Sequence, residues 1–425
     1  MSSPRVTIIS TGEELVTGHT VDTNASFLAE RLTTFGFIVQ RLVALGDDPE
    51  ALHRELRWAA QENEILIVTG GLGPTADDRT RGAVARAAGV ELVEDKDSLE
   101  HVRRIIESYG RAMTPAQAVQ ALFPAGSEIF PNSRGTARGF AVRVGPARVI
   151  VMPGVPDEMK AMFQDSVLPS LRAGRQETAI ARTVNLFGVA ESEVDARISD
   201  LMQVGRNPSV GLKVEGGAVY VCLHAQAGSA QEAARLIELD VQTIRDRFGD
   251  AVYGGDATTL AGALSRLLEE QNLNVAVAES CTGGLIGSLL TDVPGISRFF
   301  LLDVVAYSDE AKVRELRVPA EEIKSFGAVS PQVAQSMARG VCETSGAALG
   351  ISTTGIAGPT GGTPQKPVGL VYIGLCLNGQ TTVHALQLRG DRWRIKARAA
   401  ANALNFARLA LLQRASSARQ AGRNR

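Results

Sequence analysis

Short β-branched runs alternate with helical patterns along the first part of the chain. Arg5–Ile9, Phe37–Leu42 and Glu64–Thr69 have the composition of strands. Asn24–Phe35, Pro49–Gln61 and Arg79–Ala88 carry helical patterns between and after them. Ala147–Met152 predicts another strand, and Pro156–Pro169 a helix opened by proline. Alternation at this spacing implies βαβ units and a mostly parallel sheet, an α/β domain.

The pattern weakens to polar residues at Arg172–Gln176. A smaller α+β segment follows. It has a strand from Arg182, a helix Glu191–Met202, a strand pair around Gly216-Gly217 and a helix Ala230–Phe248. Tyr253–Asp256, with its two glycines, reads as a second boundary. Alternation then returns. Leu260–Gln271, Leu285–Leu290, Asp309–Leu316 and Pro331–Ser345 predict helices. Asn274–Ala278, Val304–Tyr307, Ala347–Thr353, Val368–Leu377 and Thr381–Leu388 predict strands. Arg394–Leu412 closes as an alanine-rich helix, and Ala415–Arg425 reads as a frayed tail. Three modules result, 1–172, 173–256 and 257–414, with a flexible tail over 415–425.

Composition narrows the class. At 425 residues the chain exceeds one ordinary core, which agrees with several modules. A hydrophobic fraction of 44% with 21% charged residues excludes wholesale disorder and a coiled-coil rod. The net charge of -2 argues against a nucleic-acid binder driven by overall positive charge. Cys222, Cys281, Cys342 and Cys376 form no CxxC pair, so neither a zinc site nor a disulfide framework is expected. No signal peptide and no membrane span are evident, and a cytoplasmic protein is expected.

The first candidate site is Gly70-Gly71-Leu72-Gly73-Pro74-Thr75-Ala76-Asp77-Asp78-Arg79-Thr80. It follows a strand and precedes a helix. Glycines allow close backbone approach, and free amides at a helix start favour a phosphate. Asp77 and Asp78 could hold a divalent cation. A plainer reading has Thr75 capping the helix and both carboxylates complementing its dipole. Glu14, Asp22, Asn24 and Asp47 lie near other strand ends, although Asp22 could be only a helix cap. In open α/β sheets such ends converge on ligands.

The second candidate is Glu279-Ser280-Cys281-Thr282-Gly283-Gly284, another strand-to-helix turn. Ser280 would be an exposed nucleophile with backbone amides nearby for an oxyanion. The chain holds five histidines and none lies close in sequence, so a Ser–Lys arrangement replaces a Ser–His triad. Lys312, in a helix's first turn after Tyr307, is the best base; an exposed lysine with Ser308 as cap is the plainer alternative. Cys281 competes as nucleophile or is a small buried filler. The glycine-rich stretch Ser352–Thr363, with Thr354, Gly355 and Gly358, could cradle a phosphate, and Arg392 could clamp one.

These motifs carry a family resemblance. TGEELVTGHTVDTN, LGDD, VTGGLGPTADDRT and MPGVPDEM resemble the N-terminal domain of the CinA family, which is similar to the molybdopterin-binding fold. AESCTGGLIG, PGISRFF, VVAYSDEAK, TTGIAGPTGGT and GDR resemble its C-terminal domain. VNLFGVAESEVDARI and RNPSVGLKVEGGAVYV resemble its KH-like linking module. The resemblance implies an N-terminal molybdopterin-binding-like α/β sandwich, a small α+β module and a C-terminal α/β domain. It implies a nicotinamide mononucleotide deamidase with Ser280 as nucleophile and Lys312 as base, supported by Tyr307, Thr354 and Arg392, and needing no metal. It also implies an ADP-ribose pyrophosphatase using Mg, Mn or Co at a site marked by Glu14, Asp22, Asn24, Asp47, Asp77 and Asp78. A molybdopterin binder, or an adaptor in competence or DNA damage, is the alternative. Asp309 stands where family members usually have Asn. The nucleic-acid-clamping GxxG loop is not apparent in the KH-like module, so a structural or dimerising role is expected and no RNA binding. Symmetric self-association as a homodimer, with no membrane partner, fits such an enzyme.

Overall fold

The computed structural model describes residues 4–173 and 178–423. Residues 174–177, in the boundary expected at Arg172–Gln176, lie outside the described residues. The chain forms two compact units, one reaching Ala181 and including His224–Arg235, the other built from Arg182–Leu223 and Leu236 onward.

In the first unit, six strands form one sheet. Their order is Ile38–Leu45, Arg5–Thr11, Ile65–Thr69, Ala147–Met152, Gly139–Val144, Glu128–Phe130. The first four are parallel, and the last two pairings are antiparallel, so only Gly139–Val144 runs against the rest. The central strand Ile65–Thr69 is buried throughout because both of its faces are covered. Ile65 and Ile67 join Leu28, Leu32, Met159 and Phe163 in one core. Leu66 and Val68 join Leu52, Leu56, Val84 and Phe140 in the other. The period-2 alternation thus sorts one apolar run into two cores, giving an α/β/α sandwich.

Several expected elements shift by a few residues. The strands Glu128–Phe130 and Gly139–Val144 and the helix Lys96–Ser108 were not anticipated. Leu99, Val102, Ile105 and Ile106 recur at helical spacing, so the sequence did carry the signal for that helix. Asp95 caps it by accepting the Ser98 amide at 2.7 Å.

In the second unit, the C-terminal domain has a five-stranded sheet. Its order is Phe300–Val305, Val275–Glu279, Leu349–Gly355, Leu370–Leu377, Gln380–Gln387. The first three strands are parallel. Val275 and Val277 face one core with Leu264, Leu268 and Ala403. Ala276 and Ala278 face another with Val333, Met337 and Val341. The closing helix runs Arg392–Arg423, through the stretch expected to be a tail. Alanine, arginine and glutamine are good helix formers and carry it on.

The middle sheet has the order Ser209–Glu215, Ala218–Ala227, Thr178–Phe187, Val252–Gly255. The glycines read as a boundary therefore lie in an edge strand. A Cβ on Gly255 would stand 2.6 Å from the Thr183 carbonyl oxygen, so glycine here permits strand pairing. Asn185, fully buried, donates to the carbonyls of Asp256 and Thr258 at 3.2 and 3.1 Å and fixes the following turn. Arg408 of the closing helix donates to the Asp250 carbonyl at 2.6 Å.

Arg206 makes a two-pronged pair with Asp240, at 2.5 and 2.6 Å. The Asp240 side chain is only 5% exposed. The Arg206 side chain is 28% exposed and is solvated without its partner, so losing Asp240 removes charge-assisted bonds rather than stranding a buried charge, at about 2 kcal/mol. Asp240→Ala is therefore expected to lower the unfolding free energy by about that amount in urea denaturation.

Candidate functional site

The glycine loop after Ile65–Thr69 is braced by its own charges. Asp78 accepts the Gly73 amide at 2.7 Å, and the Thr75 amide and hydroxyl at 2.8 and 2.5 Å. Arg81 is buried and donates to the carbonyls of Leu72 and Gly73. Burial pushes the Arg81 guanidinium down to about 10. The Gly73 and Thr75 amides, expected to be free for phosphate, are therefore occupied from within the loop. Thr75 does not cap the helix, which starts at Thr80 behind Arg79. Gly70 has φ +101°, and a Cβ there would lie 2.3 Å from the Thr11 carbonyl oxygen. Only glycine permits that approach.

The loop borders a cavity of about 360 Å³, lined also by Glu14, Asp47, Gly70, Gly71 and Asp77. Thr11, Gly46-Asp47, Gly70 and Pro153-Gly154 all lie at or just after the carboxyl ends of parallel strands. Burial raises the Asp47 pKa, the Glu13 amide partly offsets this, and the charges of Glu14, Asp77 and Glu13 raise it further. A neighbouring cavity of about 260 Å³ contains Glu14, Asp22 and Asn24. Asp22 accepts the Ala25 amide at 2.9 Å and caps Thr23–Thr34. Asn24 donates to the Gly154 carbonyl at 2.7 Å and leaves its buried Oδ1 unpartnered. Sequence reasoning missed Gln120, Thr136 and Glu158, which also line the larger cavity. The MPGVPDEM motif at a strand end was the available signal for Glu158.

A divalent cation is implied by the resemblance. Among the described residues, no three of His, Cys, Asp and Glu gather closely enough to hold a metal by themselves. A Mg²⁺-like ion often takes one or two carboxylates and completes its shell with water and substrate phosphate. Asp47 and Asp77, beside Glu14, offer such a partial set. Both oxygens of Asp78 are already taken by the loop.

In the C-terminal domain, Ser280 follows the strand Val275–Glu279 and is 9% exposed. Its amide donates to the Thr353 carbonyl at 3.0 Å. Glu279 accepts the Gly284 and Gly287 amides, both at 2.9 Å. Thr282 and Thr353 share a 2.6 Å hydroxyl bond. Thr354, the residue singled out in the sequence, instead donates to the Ala328 carbonyl at 2.8 Å. Adjacent strand residues face opposite sides, which separates the two threonines.

Lys312 is buried although Ser308 does cap its helix, accepting the Ala311 amide at 3.1 Å. Its ammonium donates to the carbonyls of Ala306, Tyr307 and Ser308 at 3.1, 3.2 and 3.4 Å. Burial lowers its pKa, while Asp309, with Oδ1 at 3.9 Å, raises it. Among the described residues, no hydrogen bond joins Lys312 to the Ser280 hydroxyl. Its charge nevertheless acts on the adjoining Cys281. Burial pushes the Cys281 thiol up to about 12, so its thiolate is scarce near neutral pH and Ser280 gains as nucleophile.

Arg392 joins two predicted residues. It donates to the Tyr307 hydroxyl at 2.8 Å and to the Gly358 carbonyl at 2.7 Å. Gly355 approaches the next strand closely, since a Cβ there would lie 2.7 Å from the Leu370 carbonyl oxygen. Lys396, missed in the sequence, puts its Nζ 3.5 Å from where a Gly283 Cβ would be. It lies one helical turn after Arg392. No helix among the described residues is long and apolar enough to cross a membrane.

Three family models match successive stretches of the chain. Residues 7–173 match the model described as a probable molybdopterin binding domain. Residues 181–254 match the damage-inducible protein CinA KH domain, and residues 257–411 the CinA C-terminal domain. A CinA-like protein of Dictyoglomus thermophilum is 41% identical over 408 residues, 96% of this chain and 99% of that protein. A competence-damage inducible protein of Clostridium novyi is 38% identical over 407 residues, 96% of this chain and 98% of its own. Among solved structures, a competence/damage inducible protein of Agrobacterium tumefaciens is 38% identical, covering 36% of this chain and 93% of its own, with a TM-score of 0.35. Kinship at this level over nearly the whole length, with a molybdopterin-binding-like domain, a KH-like module and a CinA C-terminal domain in order, makes this chain a member of the CinA family.

Proposed function

We propose that the C-terminal domain deamidates nicotinamide mononucleotide to nicotinic acid mononucleotide and ammonia. The observation that carries this reading is the buried Lys312, held at three carbonyls next to the turn that bears Ser280. As a neutral amine, Lys312 keeps two N–H groups for carbonyls and frees a lone pair for the serine proton. Ser280 then attacks the carboxamide carbon, and the oxyanion meets the backbone amides of Cys281 and Thr282, the Gly283 amide being bonded to the Ser280 carbonyl. Proton return to the leaving nitrogen releases ammonia and leaves an acyl-serine, which water hydrolyses. Arg392, Lys396 and the Gly358 loop supply positive charge and shape for the nucleotide phosphate.

For the N-terminal domain we propose metal-dependent hydrolysis of ADP-ribose to AMP and ribose 5-phosphate. The acidic cavity supports it, because a cavity lined by Glu14, Asp47 and Asp77 accepts a pyrophosphate only with a cation between. Asp47 and Asp77 would hold that ion, with water and the substrate phosphates completing its shell. When bound, it would neutralise phosphate charge and lower the pKa of an attacking water.

Ammonia release from nicotinamide mononucleotide, without added metal, tests the first reading. Wild type is expected to release it and Ser280→Ala to lose it by a factor on the order of 10³ or more, with ADP-ribose hydrolysis unchanged. A folded wild type without release overturns the reading. Asp309→Asn removes the charge that raises the Lys312 pKa. Deamidation requires neutral Lys312, so the acid limb of its kcat/KM profile should move to lower pH. A double change, Asp47→Asn with Asp77→Asn, should cut ADP-ribose hydrolysis by a factor on the order of 10² while ammonia release persists. Unchanged hydrolysis would remove the metal role from these residues.

A further inference from the structure

Two carboxyl groups lie together behind the Ser280 turn, and no step described above uses them. Glu279 is fully buried at the end of its strand. Its two oxygens accept different amides, Gly284 and Gly287, both at 2.9 Å. Those amides belong to the start of the helix Leu285–Thr291, where donors lack partners within the helix. The turn is thus tied at one end by Ser280 to Thr353 and at the other by Glu279.

Asp303 lies on the neighbouring parallel strand, in register with Val277 and so on the same face as Glu279. Both acids converge on Gly287, whose amide Glu279 accepts at 2.9 Å and whose open side Asp303 fills. Its Oδ1 is buried without a partner. A Cβ on Gly287 would lie 2.1 Å from its Oδ2, so glycine at that position makes room for the acid. Two carboxyl groups in contact away from water share one proton, because like charges at that range resist joint ionisation.

Few other charges reach the pair, and the Cys281 thiol, on which the Glu279 charge acts, is kept neutral by burial. The helix Leu285–Thr291 has no titratable side chain. Arg298, on the adjoining turn, is engaged with Glu269. Lys396 lies over Gly283, and Lys312 is bonded to carbonyls. Leu302 and Val304, flanking Asp303, face the opposite core.

We propose that Glu279 and Asp303 form a proton-sharing pair of positioning residues, in which Asp303 donates to Glu279 so that Glu279 can hold Gly284 and Gly287 and thereby place Ser280. The proposal rests on the reading of Ser280 as nucleophile for its kinetic consequence, but the pair itself is testable without it. Burial first, then the charge and hydrogen bond of Glu279, push the Asp303 carboxyl up to about 7. Below that pH the proton is in place and the turn is held. As pH rises through it, two adjacent carboxylates repel and the hold on Gly284 and Gly287 is lost. Deamidation should then rise with pH as Lys312 becomes neutral and fall as Asp303 ionises, a bell.

The experiment combines kinetics with a reading of the proton itself on the full chain. Asp303→Asn keeps a donor toward Glu279 but cannot ionise, so the alkaline fall should disappear while kcat at the optimum stays within about threefold. Glu279→Gln should lower kcat by a factor on the order of 10², with KM changed far less. An alkaline fall retained in Asp303→Asn, or an unchanged kcat in Glu279→Gln, overturns the positioning role. Infrared difference spectra of the wild type should show a buried protonated carboxyl that disappears as pH passes about 7 and is absent from Asp303→Asn. Exchange of the Gly284 and Gly287 amides should accelerate over the same interval beyond the ordinary effect of hydroxide. A wild type with no such band and no such acceleration overturns the pair even if the deamidase is active. A wild type that shows both but releases no ammonia upholds the pair and fails only the proposed reaction.

Discussion

A backbone turn that carries chemistry has amides with no helix or strand to bond them, and something must take those donors before the turn can hold one shape. In both α/β domains a carboxylate does this, accepting two amides of the loop after a buried parallel strand. Asp78 takes Gly73 and Thr75 in the first domain, and Glu279 takes Gly284 and Gly287 in the second. Charge-assisted bonds of this kind are stronger than neutral ones. In the first domain Arg81 completes the arrangement by occupying loop carbonyls, so the loop holds both signs and little net charge. In the second the companion is another acid, so the brace depends on a proton rather than on a fixed cation.

The sheets decide where these turns meet their partners. Parallel strands end along one edge, and the following loops converge there. Thr11, Asp47, Gly70 and Gly154 come from four different strands yet line one cavity. Ser280 and Thr353 meet because Glu279 and Thr353 are in register on adjacent strands. The two sites then diverge in electrostatics. One gathers carboxylates around an open polar cavity. The other buries an amine among carbonyls and a thiol too dry to ionise.

Much of this was legible in the sequence. Continuous apolar runs such as Ile65–Thr69 announced strands covered on both faces, and glycine loops after them announced ligand edges. What stayed hidden depended on pairing across distance. The five-residue offset that lets Asp78 occupy Gly73 looks the same in sequence as one that leaves both free for a ligand. Thr353 and Thr354 are adjacent, and only strand phase tells which faces Thr282. Glu279 stood in the quoted motif, but its companion Asp303 is 24 positions on and reaches it through sheet register alone. The helix Lys96–Ser108 was legible but overlooked, since Leu99, Val102, Ile105 and Ile106 mark one face at helical spacing. Gly254-Gly255, read as a boundary, also lies in an edge strand, which the sequence does not reveal because glycine has the same appearance in a linker and at a crowded strand edge.

The closing helix acts as a ruler. Its first residue, Arg392, reaches Tyr307 and the Gly358 loop, while Arg408 on the same helix is fastened to Asn405 and to the Asp250 carbonyl beside the middle sheet. At 1.5 Å per residue the two arginines are separated by roughly 24 Å along the axis. A helix also couples length to angle, about 100° for each residue. Inserting or deleting one residue between them would swing Arg392 away from Tyr307 and the Gly358 loop even if every side chain were kept. The number of residues in this stretch is therefore under tighter physical constraint than the identity of most of them, a dependence on spacing that substitution alone would never reveal.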